Sequence, residues 1–203
     1  MSLLIIAVTF IVSYFAFQRS DLLFKYDFNP YQIVHRNQWY RLVTHAFLHA
    51  DWTHLIVNML VFWSFADVAS YYFEFLFRQN GTLLLLGLYF GGVIVSCLYS
   101  LIKQRDNYNY SAIGASGGVA AVTFACIFFD PIGKILFFGV IPIPGILFGV
   151  IYLAYSYYMG KRGMDNIAHD AHFYGAVYGF IYPMLFRPDL LSSFIEKLMP
   201  WLQ

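Results

Sequence analysis

Between Arg78 and Lys103 the chain carries no charged residue, and the same holds between Lys134 and Lys161. Such runs decide the solvent. About 20 consecutive apolar residues suffice to cross the hydrocarbon of a bilayer as a helix. Only 11% of the 203 residues are charged and 60% are hydrophobic, against roughly 25% charged in a soluble domain. The chain therefore reads as a polytopic, all-α membrane protein. Its net charge of +1 argues against nucleic acid as a partner. Cys97 and Cys126 lie in apolar runs and read as small core residues, silent about redox compartment.

Apolar periodicity and its breaks predict six spans. The first covers residues 3–17 and is expected to be a retained helix, because it lacks the basic start and small-residue cleavage site of a signal peptide. A long first loop, 18–50, follows. Within it, Trp39, Leu42, Val43, Ala46 and Phe47 share one face of 38–49, the pattern of a short amphipathic helix in the membrane interface. The second helix is 52–72, and the third is the run between Arg78 and Lys103. The fourth starts near Ser116 and stops at Asp130-Pro131. Pro142, Pro144 and Gly145 divide the next run into an interfacial segment, 135–141, and a fifth helix, 144–159. A loop, 160–166, leads to the sixth helix, 167–186. Residues 1–186 then form one six-helix domain, and 187–203 an amphipathic tail with Leu190, Leu191, Phe194, Ile195, Leu198 and Met199 at helical spacing.

Polar groups inside spans are costly and mark function. Four stand out: His54 and Asn58 on the second helix, Ser116 on the fourth and His172 on the sixth. His54 precedes Asp67 by 13 residues, Ser116 precedes Asp130 by 14, and His172 precedes Arg187 by 15. At about 1.5 Å per residue all three lie roughly 20–22 Å from one surface, hence about 8–10 Å below the other. The fourth helix is too short to span alone, so 107–115 must dip into the membrane as a re-entrant loop. Irregular backbone is tolerated there only when buried in protein or lining a wet cavity. Gly175-x-x-x-Gly179 on the sixth helix and Gly117, Ala120 and Ala121 on the fourth are small faces that let two backbones approach.

Ser116 sits in Gly114-Ala115-Ser116-Gly117-Gly118. Alone, it is either a helix N-cap or a nucleophile. A serine hydroxyl attacks only when a base takes its proton, and histidine is the usual base. The resulting oxyanion needs fixed donors, which Asn58, His54 and the Ser116 backbone N–H can supply. No carboxylate lies near His172 on its helix face, and Asp170, the nearest, should point elsewhere, so a two-residue dyad is expected. His45 and His49 read as loop-structuring residues, and Trp39 and Arg41 as interfacial anchors.

These motifs carry a family resemblance. His54-Leu-Ile-Val-Asn58, Gly114-Ala-Ser116-Gly117 and Ala171-His172-Phe-Tyr-Gly175-x-x-x-Gly179 occur in order on the second, fourth and sixth helices, preceded by Gln38-Trp39-Tyr40-Arg41. The chain resembles the rhomboid intramembrane serine proteases from about Gln38 to Tyr182. The resemblance implies Ser116 as nucleophile, His172 as general base, and His54 with Asn58 in the oxyanion hole. It further implies cleavage of transmembrane protein substrates near the extracytoplasmic ends of their helices, in lipid, without a cofactor or metal. A multi-pass protein of a bacterial cytoplasmic membrane is expected; oligomeric state is not legible. Family members often carry an acidic residue after Phe-Gly late in the second helix; here the sequence reads Phe65-Ala66-Asp67, with Glu74 further on.

Eight of the Lys and Arg residues lie on the first-loop side, so the positive-inside rule would place both termini outside. The resemblance places them in the cytoplasm and is followed here. An inactive rhomboid-like protein that binds membrane clients is the alternative. Lateral substrate entry between the second and fifth helices is expected, with 160–166 capping the site and Trp63 and Tyr152 as a trial cross-link across the gap.

Overall fold

The computed structural model describes residues 1–137, 139–162 and 167–202. The chain is mostly helical. α1 (Ser2–Gln18) buries Ile5, Thr9, Ser13 and Ala16, a stripe of mostly small side chains at helical spacing. It packs on α5 (Trp52–Phe77), where Trp52 is ringed by Phe10, Tyr14 and Phe17 at centroid distances of 5.6, 6.3 and 5.0 Å. The Asp51 carboxylate caps α5 by accepting the His54 backbone N–H at 2.8 Å. α5 and α6 (Gly81–Lys103) are each long and apolar enough to cross a membrane; α1 and α7 (Ser116–Phe129) are apolar but shorter.

α7 is the centre of the bundle. Every residue from Gly117 to Phe129 is buried, as befits a helix that is apolar on all sides. It lies against α5, α6 and, most extensively, α9 (His169–Phe186). Glycine sets that contact. A Cβ at Gly175 would overlap the Gly117 carbonyl oxygen, and one at Gly179 the Ala121 carbonyl oxygen. The offset is the same, 175 against 117 and 179 against 121, so α7 and α9 run parallel with Ser116 level with Tyr174.

α8 (Gly145–Arg162) packs chiefly on α9, more lightly on α7. α10 (Leu190–Leu202) folds back: Leu190 is buried, Phe194 stacks on Phe128 at 5.4 Å, and the Lys197 ammonium donates to the Phe129 carbonyl at 2.6 Å, at the C-terminus of α7. A cation there complements the helix dipole.

Three expectations need correction. Residues 135–141 are not a simple interfacial segment. β1 (Lys134–Phe137) pairs antiparallel with β2 (Ile141–Pro144), and Gly139 takes a φ of +72° in the connection. Prolines in β2 are accommodated because a two-strand ribbon leaves one side of each strand without ladder partners. The first loop is more structured than a single interfacial helix: it holds α2 (Ser20–Tyr26), α3 (Pro30–Arg36) and α4 (Arg41–Thr44), followed by a 3-10 turn, His45–Phe47. The expected loop at 160–166 is helical as far as Arg162; 163–166 lie outside the described residues.

Because Gly179 lies against backbone, Gly179→Val should force α7 and α9 apart and cost about 1–3 kcal/mol. Thermal unfolding in detergent should show a lower midpoint. An unchanged midpoint would be incompatible with the close approach described.

Candidate active site

The sequence-selected residues gather where three helices begin. His54 is the third residue of α5, Ser116 the first of α7 and His172 the fourth of α9. Unpaired backbone N–H groups and the positive ends of helix dipoles therefore collect at one end of the bundle. His172 stands two residues before the position level with Ser116, about 3 Å along the axis. Ser116 is partly exposed although the rest of α7 is buried. It does not cap its helix: Ala115 is the N-cap, and no side chain bonds there.

The segment before Ser116 descends without regular structure, so its backbone polar groups need partners. The first loop supplies them. Phe28 and Ala112 exchange two backbone hydrogen bonds, of 2.9 and 3.0 Å. Asn29 donates its side-chain amide to the Tyr108 carbonyl at 3.0 Å, and Ser111 its hydroxyl to Asp27 at 2.6 Å. The Gly114 N–H donates to the His45 carbonyl at 3.0 Å.

Arg41 anchors this assembly, and its reading as an interfacial anchor is wrong. Its guanidinium is buried in an ion pair with Asp27, and it also donates to the Phe24 carbonyl at 3.1 Å and to Gln38 at 2.7 Å. Burial raises the Asp27 carboxyl above its ordinary range, while Ser111 and Arg41 pull it down. Trp39, by contrast, is exposed.

Two histidines flank the descent, and their tautomers follow from their partners. The Ser13 hydroxyl gives its proton to the Phe47 carbonyl at 2.8 Å, so at its 2.9 Å contact with His49 Nδ1 it must accept. His49 therefore carries its proton on Nδ1, and Nε2 is left to accept the Ala115 N–H at 3.5 Å. His54 is the reverse. Its Nδ1 accepts the Ala50 N–H at 3.4 Å, which leaves the proton on Nε2. That nitrogen is 2.8 Å from where a Cβ of Gly114 would stand. Gly114, at a φ of +125°, is thus required by its backbone and by the ring. A donor consequently faces the backbone two residues before Ser116. Asn58 is buried and spends one of its two amide hydrogens on the His54 carbonyl at 2.9 Å, leaving the other.

His172 lies with its ring 6.3 Å from Tyr152 and 5.7 Å from His169. His169 is buried. Asp170 lies against α8: a Cβ at Gly160 would be 2.7 Å from its carboxylate. Sequence reasoning missed Tyr152, Ser13 and the Asp27–Arg41 pair. A stripe of rings at 148, 152 and 155 was visible, but 17 tyrosines and 22 phenylalanines hide any one stripe.

A protein-family model for the rhomboid domain matches residues 36–189, a span that includes His54, Asn58, Ser116 and His172. Among curated proteins, the chain is similar to RHOMBOID-like protein 12, mitochondrial, of Arabidopsis thaliana. The two are 28% identical over 150 residues, covering 66% of this chain and 43% of the relative. The chain thus spans less than half the relative's length. That relative's name places it in mitochondria, and the expected bacterial membrane gains no support from it.

Burial pushes the His45 imidazole down to about 4; burial, then the neighbouring His54, push His49 down to about 3. An unfolded histidine titrates near 6.5. Below that pH the unfolded chain takes up protons that the folded one refuses, so stability present above about pH 6.5 is lost as pH falls. The unfolding midpoint should drop between pH 7 and pH 4, and His49→Gln should make the drop shallower. Equal slopes in both proteins would show that His49 is not held neutral.

Proposed function

The chain belongs to the rhomboid family, and from that premise we propose that it is an intramembrane serine endopeptidase that cleaves transmembrane protein substrates near the extracytoplasmic end of their helix. α1, α5, α6, α7, α8 and α9 are its six spans, with the first loop outside and both termini in the cytoplasm. The observation that carries the reading is the position of Ser116. It heads an otherwise buried helix, is partly exposed, and comes two residues after a glycine against which the His54 ring lies with its protonated Nε2.

His172 takes the Ser116 proton as Oγ attacks the scissile carbonyl. Charge develops on the carbonyl oxygen, and donors already aimed there lower the barrier without reorganising. They are His54 Nε2–H, the free Asn58 N–H and the Ser116 backbone N–H, backed by the α7 dipole. His172 then returns its proton to the leaving amine, and water entering from the first-loop side hydrolyses the acyl-enzyme. No metal or cofactor takes part. Substrate enters laterally past α8. The trial pair Trp63 and Tyr152 does not suit a cross-link across that gap: Trp63 is exposed on α5, while Tyr152 is turned inward onto Phe124 and His172.

A serine-directed fluorophosphonate in detergent tests the assignment. Wild type should be labelled, and Ser116→Ala and His172→Ala should not. Asn58→Ala should lower turnover of a transmembrane substrate by about 10²–10³. A well-folded wild type that takes no label would instead favour an inactive, client-binding rhomboid.

A further inference from the structure

Two rings of α8 reach across to two rings of α9. Tyr152 lies beside His172, nearly parallel and offset, with centroids 6.3 Å apart and planes 22° from parallel. Tyr155 meets His169 edge-on at 5.6 Å, and His169 meets His172 edge-on at 5.7 Å. Tyr152 is itself backed by Phe124 of α7 at 5.4 Å and Phe148 at 5.9 Å. Where Gly175 and Gly179 of α9 lie against α7, they meet the backbone of Gly117 and Ala121, which have no ring to lay beside an imidazole.

An imidazole that removes a serine proton must point an in-plane lone pair at Oγ. Rotation about its terminal side-chain torsion is soft, because that torsion is broad and roughly two-fold. A flat ring packed nearly parallel and offset beside it restrains the plane without occupying either nitrogen. We propose that Tyr152 is a positioning residue, whose ring on α8 fixes the plane of His172 and so makes alignment of the base depend on α8 being seated. The proposal rests on the protease reading above. A displacement of α8 that admits a substrate helix lifts Tyr152 from His172. The open protein is therefore unarmed, and attack on Ser116's target waits until α8 closes again.

Fluorophosphonate labelling of the full chain in detergent tests this, because the probe enters from water and does not need the lateral path. Tyr152→Leu and Tyr152→Met fill the space without a flat face. Both should lower the maximal labelling rate at least about tenfold at an unchanged half-saturating probe concentration. Tyr152→Phe, which keeps the ring, should label within about twofold of wild type. Tyr155→Leu removes a comparable ring contact between the same helices and should lower thermal stability similarly while leaving the maximal rate intact. Wild-type labelling at Ser116 with an undiminished rate in Tyr152→Leu and Tyr152→Met overturns the proposal. So does a Tyr152→Phe rate as low as theirs, which would assign the effect to the hydroxyl. Absence of label in the wild type defeats the protease reading itself, and is thereby distinguished.

Discussion

A peptide backbone cannot enter an apolar interior with its N–H and C=O groups unmatched. The whole arrangement follows from that constraint at the segment leading to Ser116. α7 is 14 residues long, about 21 Å, so the chain reaches its first turn as irregular backbone. The first loop exists in folded form to receive it. Phe28 takes two polar groups of that descent, and Asn29, His45, His49 and Asp27 one each. Arg41, buried and paired, holds Asp27 and the end of α2 together, so that a charge sits where only a fully bonded one is tolerated.

The second support is steric. Gly175 and Gly179 let α9 lie directly on the α7 backbone, with no side chain between them. Parallel alignment then brings the positive ends of both helices to the same end as the start of α5. Side chains proposed for proton transfer and oxyanion binding come from three helices, and all but Asn58, one turn further along α5 than His54, sit in a first turn, where N–H groups are available. Precision therefore comes from rigid elements, and the loop's contribution is to hold the one irregular strand still.

Much of this was legible in the sequence. Charge-free runs gave helices close to their observed limits, as at α1 and α7, because a span in lipid has only its apolar length to satisfy. The small faces at Gly117 and Gly175 announced the close contact. Other features had no local signal. Asp27 and Arg41 are 14 residues apart and belong to different elements, so no continuous helix pairs them, and Arg41 beside Trp39 resembled any membrane-surface pair. The hairpin at Lys134–Pro144 was hidden by prolines that break a helix without naming what replaces it. Tautomers of His49 and His54 depend on Ser13, Phe47 and Ala50, partners that only the fold brings into place. Tyr152 was one ring among many, and its value lies in which face of α8 turns inward.

The Lys197 ammonium at the last turn of α7 adds a matter of timing. A ribosome delivers this chain from its N-terminus, so Ser116 is made long before either His172 or Lys197. Until α9 arrives, the glycine face of α7 has nothing to lie against, and until α10 follows, the Phe129 carbonyl lacks its cation. A half-synthesised chain thus already holds the Ser116 hydroxyl but neither α9, which carries His172, nor the clasp at the far end of α7. Chain order alone therefore leaves the packing of α7 incomplete until α9 and α10 have been delivered.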